Sequence, residues 1–102
     1  MHPTVAAHLS EIAALCRRFG VARLDLFGSA ARGDFDPATS DLDFLVAFQT
    51  EAKPRAFDNY FGLKEGLAEV LGRSIDLLTA DSLRNPYLAR EIEASRQLLY
   101  GA

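Results

Sequence analysis

The sequence predicts an α+β fold with its elements in the order αβ-loop-βαβα, and three observations carry that prediction. Apolar residues recur at helical spacing from Val5 to Phe19, after Pro54, and again after Asn85-Pro86. Between these segments lie three short stretches, Val21 to Phe27, Leu42 to Phe48 and Ile75 to Leu78, whose apolar and polar side chains alternate with the period of a strand. Gly20, Gly28 and Gly72 stand where a helix or strand should stop.

In the first helix Val5, Leu9, Ile12, Ala13 and Cys16 share an apolar face. Cys16 therefore reads as a small core residue rather than a reactive thiol. The first strand sets Leu24 and Leu26 against Arg23 and Asp25, and Ala30 to Ser40, with Gly33 and Pro37, has the composition of a loop. In the second strand Leu42, Phe44, Val46 and Phe48 share one face, which leaves Asp41 and Asp43 together on the other. Phe57, Tyr60, Phe61, Lys64, Leu67 and Leu71 suit a long helix in which the aromatic residues are expected to pack in the core. The third strand places Ile75 and Leu77 on one side and Asp76 on the other. Asn85 then caps a last helix with Pro86 at its first position, and Leu88, Ile92, Ser95 and Leu99 carry that helix to the C-terminus. No repeat, low-complexity tract or linker divides the chain, so residues 1–102 are expected to form one domain.

Composition narrows the function. The chain carries 11 Lys and Arg against 14 Asp and Glu, a net charge of -3, which is the opposite of the basic footprint of a protein that tracks phosphate backbones. Long nucleic acid is thus disfavoured as the main partner. Cys16 is the only cysteine, so there is no internal disulfide and no Cys/His zinc spacing, as suits a reducing cytoplasm. No apolar run reaches the length of a bilayer span, and the start, Met1-His2-Pro3-Thr4, lacks a basic and apolar leader pattern. A soluble cytoplasmic domain is expected.

Two features carry chemistry. Phe27-Gly28-Ser29 lies where a strand leaves the sheet and a helical turn can begin, so backbone N–H groups and the Ser29 hydroxyl can face an anion. Alone, such a pair is more often a simple turn, and no Gly-Lys-Ser or Gly-Lys-Thr follows to make a Walker loop. Asp41 and Asp43 say more, because carboxylates two apart on a strand project the same way and repel unless they are solvated or neutralised. A solvated strand face is the commoner meaning of an isolated Asp-x-Asp, but here Asp76 repeats the arrangement on a third apolar strand. Three carboxylates meeting beside a phosphate loop suit Mg²⁺, which takes oxygen ligands and bridges carboxylates to substrate phosphates. A two-ion version activates the attacking oxygen and stabilises the leaving one.

The stretch Gly28-Ser29-Ala30-Ala31-Arg32-Gly33, followed after Ser40 by Asp41-Leu42-Asp43, resembles the GS…DxD signature of the DNA polymerase β-like nucleotidyltransferase superfamily. Eleven residues separate Ser29 from Asp41, within the range of that motif. The Ala-Arg-Gly, the short length and the ending Leu99-Tyr100 are similar to those of the minimal nucleotidyltransferases, MNT, of prokaryotes. The resemblance implies a small mixed β-sheet flanked by helices, with Gly28 and Ser29 holding the β and γ phosphates of ATP. It implies that Asp41 and Asp43 ligate two Mg²⁺ ions, and that Asp76 ligates the catalytic ion and helps deprotonate an acceptor hydroxyl. Arg32 matches a basic position that either contacts the triphosphate or tethers the loop. Proteins of this kind commonly pair with an all-helical HEPN protein as a toxin-antitoxin module, and some modify a tyrosine of that partner with AMP. Three readings follow: an enzyme acting on a HEPN partner, a binding module that neutralises a HEPN ribonuclease by contact, and a transferase for a small molecule. The last would need an acceptor pocket that so short a chain could build only as an oligomer.

Overall fold

The computed structural model describes residues 2–33 and 41–101, and the side chain of Lys53 lies outside that description. Most of the loop expected over Ala30 to Ser40, including Pro37 and Ser40, falls outside the described residues. Two helices, α1 (Pro3–Ala7) and α2 (Leu9–Arg18), stand where one was expected. They part at His8, whose backbone leaves the helical range at φ −121° and whose Nδ1 donates to the Thr4 carbonyl at 2.7 Å. Val5, Ile12 and Cys16 stay fully buried, whereas Leu9, just past the break, is exposed. Burial pushes the Cys16 thiol up to about 12, which suits an inert core cysteine.

Strands β1 (Val21–Phe27) and β2 (Leu42–Phe48) follow the expected bounds. Between them Ser29–Arg32 forms one short helical turn, α3, closed by Gly33. After a 3-10 turn over Thr50–Arg55 comes α4 (Ala56–Leu71), then β3 (Ile75–Thr79). Strands β1 and β2 are antiparallel, and β3 joins β2 in parallel through the α4 crossover. Such a pairing needs a connection as long as a helix.

The C-terminus differs from expectation. Helix α5 (Pro86–Ser95) begins as anticipated, with the Asn85 side chain accepting from the amides of Tyr87 and Leu88, but it ends at Ser95. Arg96 is extended, and Gln97–Tyr100 form a fourth strand, β4, antiparallel to β1. Leu99 therefore belongs to a strand, and the sheet has the order β3-β2-β1-β4. A segment as short as Gln97–Tyr100 satisfies helical and strand periods alike, and pairing with the open edge of β1 decides the matter.

Core residues lie on both faces of this mixed sheet. On one face Leu24, Leu26, Leu42, Phe44 and Val46 meet Ile12 and Cys16 of α2 and Leu63, Leu67 and Leu71 of α4. Complete burial of a leucine such as Leu67 contributes about 1.5–3 kcal/mol. Helices α2 and α4 approach closely because Gly62 and Gly66 leave room for Phe19 and Leu15: a Cβ on them would stand 2.4 and 2.7 Å from those side chains. That contact sets the rotation of α4 and corrects the expected aromatic core. Phe57 is 75% exposed and Phe61 43%, their rings 4.7 Å apart, while Tyr60 turns inward and donates its hydroxyl to the Leu77 carbonyl. On the opposite face a smaller cluster of Phe27, Leu45 and Ile92 is covered by Leu78, Leu83 and Leu88.

This second layer explains another departure. Asp25, expected on a polar strand face, is fully buried. Arg23 Nε donates to its carboxylate at 3.1 Å, and Arg96 donates to it from the α5–β4 junction through Nε at 3.1 Å and through a second guanidinium nitrogen. A buried carboxylate is tolerated only when paired and hydrogen-bonded, so this pair fixes where α5 must end. Among the described residues no helix is long and apolar enough to cross a membrane.

Candidate active site

The sheet itself brings the acidic residues together. Phe27, the last residue of β1, pairs with Asp43, and Asp43 pairs in parallel register with Asp76. Neighbouring strands lie about 4.8 Å apart, and register partners project to the same face. Asp43 and Asp76 are therefore side by side, and Asp41, just before β2 and two residues before Asp43, adds its charge to theirs. Asp41 and Asp76 are exposed, while Asp43 is half-buried between them.

Electrostatics mark Asp43 as the centre of the group. Its carboxyl is raised from 3.8 to about 6, first by burial and then by the charges of Asp76, Asp41 and Glu91, with Arg32 opposing. Like charges this close disfavour ionisation until a cation arrives. Among the described residues no three acidic, histidine or cysteine side chains converge tightly enough to cage a metal ion. Mg²⁺ does not require such a cage, since it is commonly held by one or two carboxylates, with waters and substrate phosphates completing its octahedron. The hard oxygen donors of Asp41, Asp43 and Asp76, set as mutually repelling neighbours, fit that ion.

The turn after β1 stands against this group. Gly28 adopts φ 75° and ψ −152°, a region open essentially to glycine alone, and a Cβ there would stand 2.5 Å from Oδ2 of Asp43. Its carbonyl accepts from the amides of Ala31 and Arg32 at 3.1 and 3.0 Å, and the Ser29 carbonyl accepts from Gly33 at 2.9 Å. Helical geometry leaves the Ser29 and Ala30 amides, at the head of α3, free of intrahelical acceptors. The Gly28 amide, which the sequence offered to an anion, instead donates to the Ser95 hydroxyl at 3.0 Å. Arg32 reaches Glu91 of α5 at 3.9 Å. Ser95 and Glu91 were not anticipated as site residues. Their i, i+4 spacing puts them on one helical face, but no local signal shows that this face meets the β1–α3 turn.

Two clefts lie elsewhere. One of about 350 Å³ is lined by Val46, Phe48, Ala56, Thr79 and Asp81, and another of about 540 Å³ lies between α2 and α4. The acidic group lines neither of them. A charged turn and three carboxylates on an accessible edge can hold a metal-bound polyphosphate and present it outward.

Comparison with known proteins identifies the family and the fold. Residues 11–99 match the family model described as the nucleotidyltransferase domain. A Methanocaldococcus jannaschii relative, provisionally named a protein adenylyltransferase, is 38% identical over 93 residues, covering 83% of this chain and 91% of its own length. A solved structure of a provisionally assigned minimal nucleotidyltransferase superposes with a TM-score of 0.74 at 32% identity, covering 91% of this chain and 92% of that one. The fold also matches, at TM-score 0.61 and 20% identity over 95% of this chain and 72% of the other, a complex of a tri-AMPylated Shewanella oneidensis HEPN toxin with its MNT antitoxin. The mixed sheet with Asp43 between Gly28 and Asp76 is thus the frame of a nucleotidyltransferase, and the chain belongs to that domain family, among its minimal members.

Proposed function

We propose that this chain transfers AMP from ATP to a tyrosine hydroxyl of a HEPN-type partner and acts as the antitoxin of that pair in the cytoplasm. The observation that carries the reading is the placement of Asp43 against Gly28 on one side and beside Asp76 on the other. A triphosphate seated on the Gly28-Ser29 turn is thereby held next to the carboxylates. In this assignment Gly28 lets the phosphates approach the main chain, and the Ser29 hydroxyl and the leading α3 amides receive their charge. Asp41 and Asp43 would ligate two Mg²⁺ ions, and Asp76 would ligate the one that activates the acceptor hydroxyl. When bound, Mg²⁺ neutralises the charge that builds on the phosphates and on the leaving pyrophosphate.

The acceptor oxygen forms a bond to the α phosphorus as the bond to the bridging oxygen of pyrophosphate breaks, and the tyrosine proton passes to Asp76 and on to water. The contribution of the chain is positioning and charge stabilisation. Arg32, already within reach of Glu91, ties the turn to α5 or leans onto the triphosphate. The partner is assigned from three supports. Asp41 and Asp76 are exposed, so the site favours an acceptor carried on another folded surface. The chain is also similar to a protein named for protein adenylyl transfer, and it shares its fold with an antitoxin bound to an AMPylated HEPN toxin. A net charge of -3 favours a partner that brings basic residues over a polynucleotide. Incubating the co-expressed partner with ATP and Mg²⁺ should add AMP to a tyrosine, as read by peptide mass spectrometry. Transfer to RNA ends or to a small metabolite with the partner unmodified would overturn the assignment.

A further inference from the structure

We propose that Ser95 is a positioning residue for this site, holding the Gly28-Ser29 turn in its phosphate-receiving orientation by taking up the Gly28 amide; the inference rests on the nucleotidyl-transfer reading. The Ser95 hydroxyl makes two hydrogen bonds. It donates its single proton to the Glu91 carbonyl at 3.0 Å and accepts the Gly28 N–H at 3.0 Å. The first bond, an ordinary link back one helical turn, commits the proton and aims the oxygen lone pairs away from the helix. Towards Gly28 the hydroxyl can then act only as an acceptor.

Gly28 is the point at which the chain has left the support of the sheet, since the β1–β2 register ends at Phe27 with Asp43. The peptide joining Phe27 to Gly28 therefore needs another anchor, and Ser95, 67 residues further along the chain, supplies it. The Gly28 carbonyl gathers the amides of Ala31 and Arg32, so α3 is organised around this residue from both sides. Fixing its N–H fixes the direction in which the Ser29 and Ala30 amides leave the turn. One helical turn earlier on α5, Glu91 faces the Arg32 guanidinium at 3.9 Å. The two ends of α3 are thus tied to a single face of α5. A glycine at φ 75° has little intrinsic preference to stay there, and without the serine the nucleotide itself must order the turn.

The test compares the intact chain with Ser95→Ala and Ser95→Thr in two measurements. Calorimetry reads the Kd of AMP-PNP in Mg²⁺, and NMR hydrogen exchange without nucleotide reads the Gly28 amide. Ser95→Ala should weaken AMP-PNP binding by about tenfold, the scale of one lost hydrogen bond, and should speed Gly28 exchange by about as much. Ser95→Thr, which keeps the hydroxyl, should stay within about twofold of the intact chain. If Ser95→Ala does not fold, Ser95→Cys, of similar size and a poor acceptor, serves in the same comparison. Unchanged AMP-PNP affinity in the hydroxyl-free variant, or a threonine variant as weak as alanine, overturns the proposal. An intact chain that binds no AMP-PNP in Mg²⁺ overturns the parent reading instead, and that failure shows before any variant is made.

Discussion

Asp43 and Gly28 meet so closely that a single methyl group on residue 28 would stand 2.5 Å from the Asp43 carboxylate. The close approach and the φ of 75° both require glycine here. Gly28→Ala should therefore cost about 1–3 kcal/mol of stability through backbone strain alone. It should also cost more activity than that loss explains, because the methyl pushes on Asp43. Urea denaturation and transfer assays on one preparation would separate the two. A variant with full activity and unchanged stability would show that the turn is not built as described.

Asp43 also predicts a pH dependence. Its folded carboxyl titrates at about 6 against an ordinary 3.8, so the fold disfavours its charge. The contribution of this residue to stability is full below pH 3.8 and is lost as pH rises through about 6. Asp43→Asn should accordingly raise Tm at pH 8 in metal-free buffer and leave it unchanged at pH 3.5, while abolishing transfer at either pH. A Tm gain that persists at pH 3.5 would assign the effect to packing rather than charge.

Arg96 is the chief partner of the buried Asp25, and its own pKa is raised above the usual arginine value, first by that hydrogen bond. Arg96→Ala leaves a carboxylate in the core with Arg23 alone, and breaking a buried pair in this way costs about 3–5 kcal/mol. Removing both charges in Asp25→Leu/Arg96→Met should restore more than half of that loss. A double variant no better than the single would mean that Arg96 acts by holding β4 rather than by neutralising Asp25.

Helix α4 gives the clearest contrast between inner and outer faces. Leu67→Ala should cost about 2–5 kcal/mol, whereas Phe57→Ser, at 75% exposure, should stay within about 0.5 kcal/mol of the intact chain. Denaturant midpoints at equal m values test this directly. A large loss at Phe57 would restore the aromatic core that the sequence suggested.

That contrast also shows what the sequence made legible. The bounds of β1 and β2, the stop at Gly72 and the Asn85 cap are local signals, and the structure reproduces them. The one-sided placement of Asp43 and Asp76 needed only the period of two within each strand. Their adjacency needed the parallel register through α4. Other features depended on long-range partners. Asp25 looked like a surface residue because Arg96 lies 71 residues away, and Leu99 matched a helical repeat because the edge of β1 is invisible from the C-terminal segment. Phe57 and Phe61 match a core pattern in sequence because hydrophobicity alone does not show which stripe Gly62 and Gly66 turn against α2. Ser95 gave no signal, since its function depends on a glycine in another element.

The central claim is nucleotidyl transfer by a site assembled from Gly28, Asp43 and Asp76. It is tested most directly by offering the chain and its partner ATP labelled at the α or at the γ phosphorus. The α label should enter the partner only with Mg²⁺, the γ label should leave in pyrophosphate, and Asp76→Asn should abolish incorporation while the protein stays folded. Entry of γ label into the partner, or undiminished α labelling by Asp76→Asn, would contradict it.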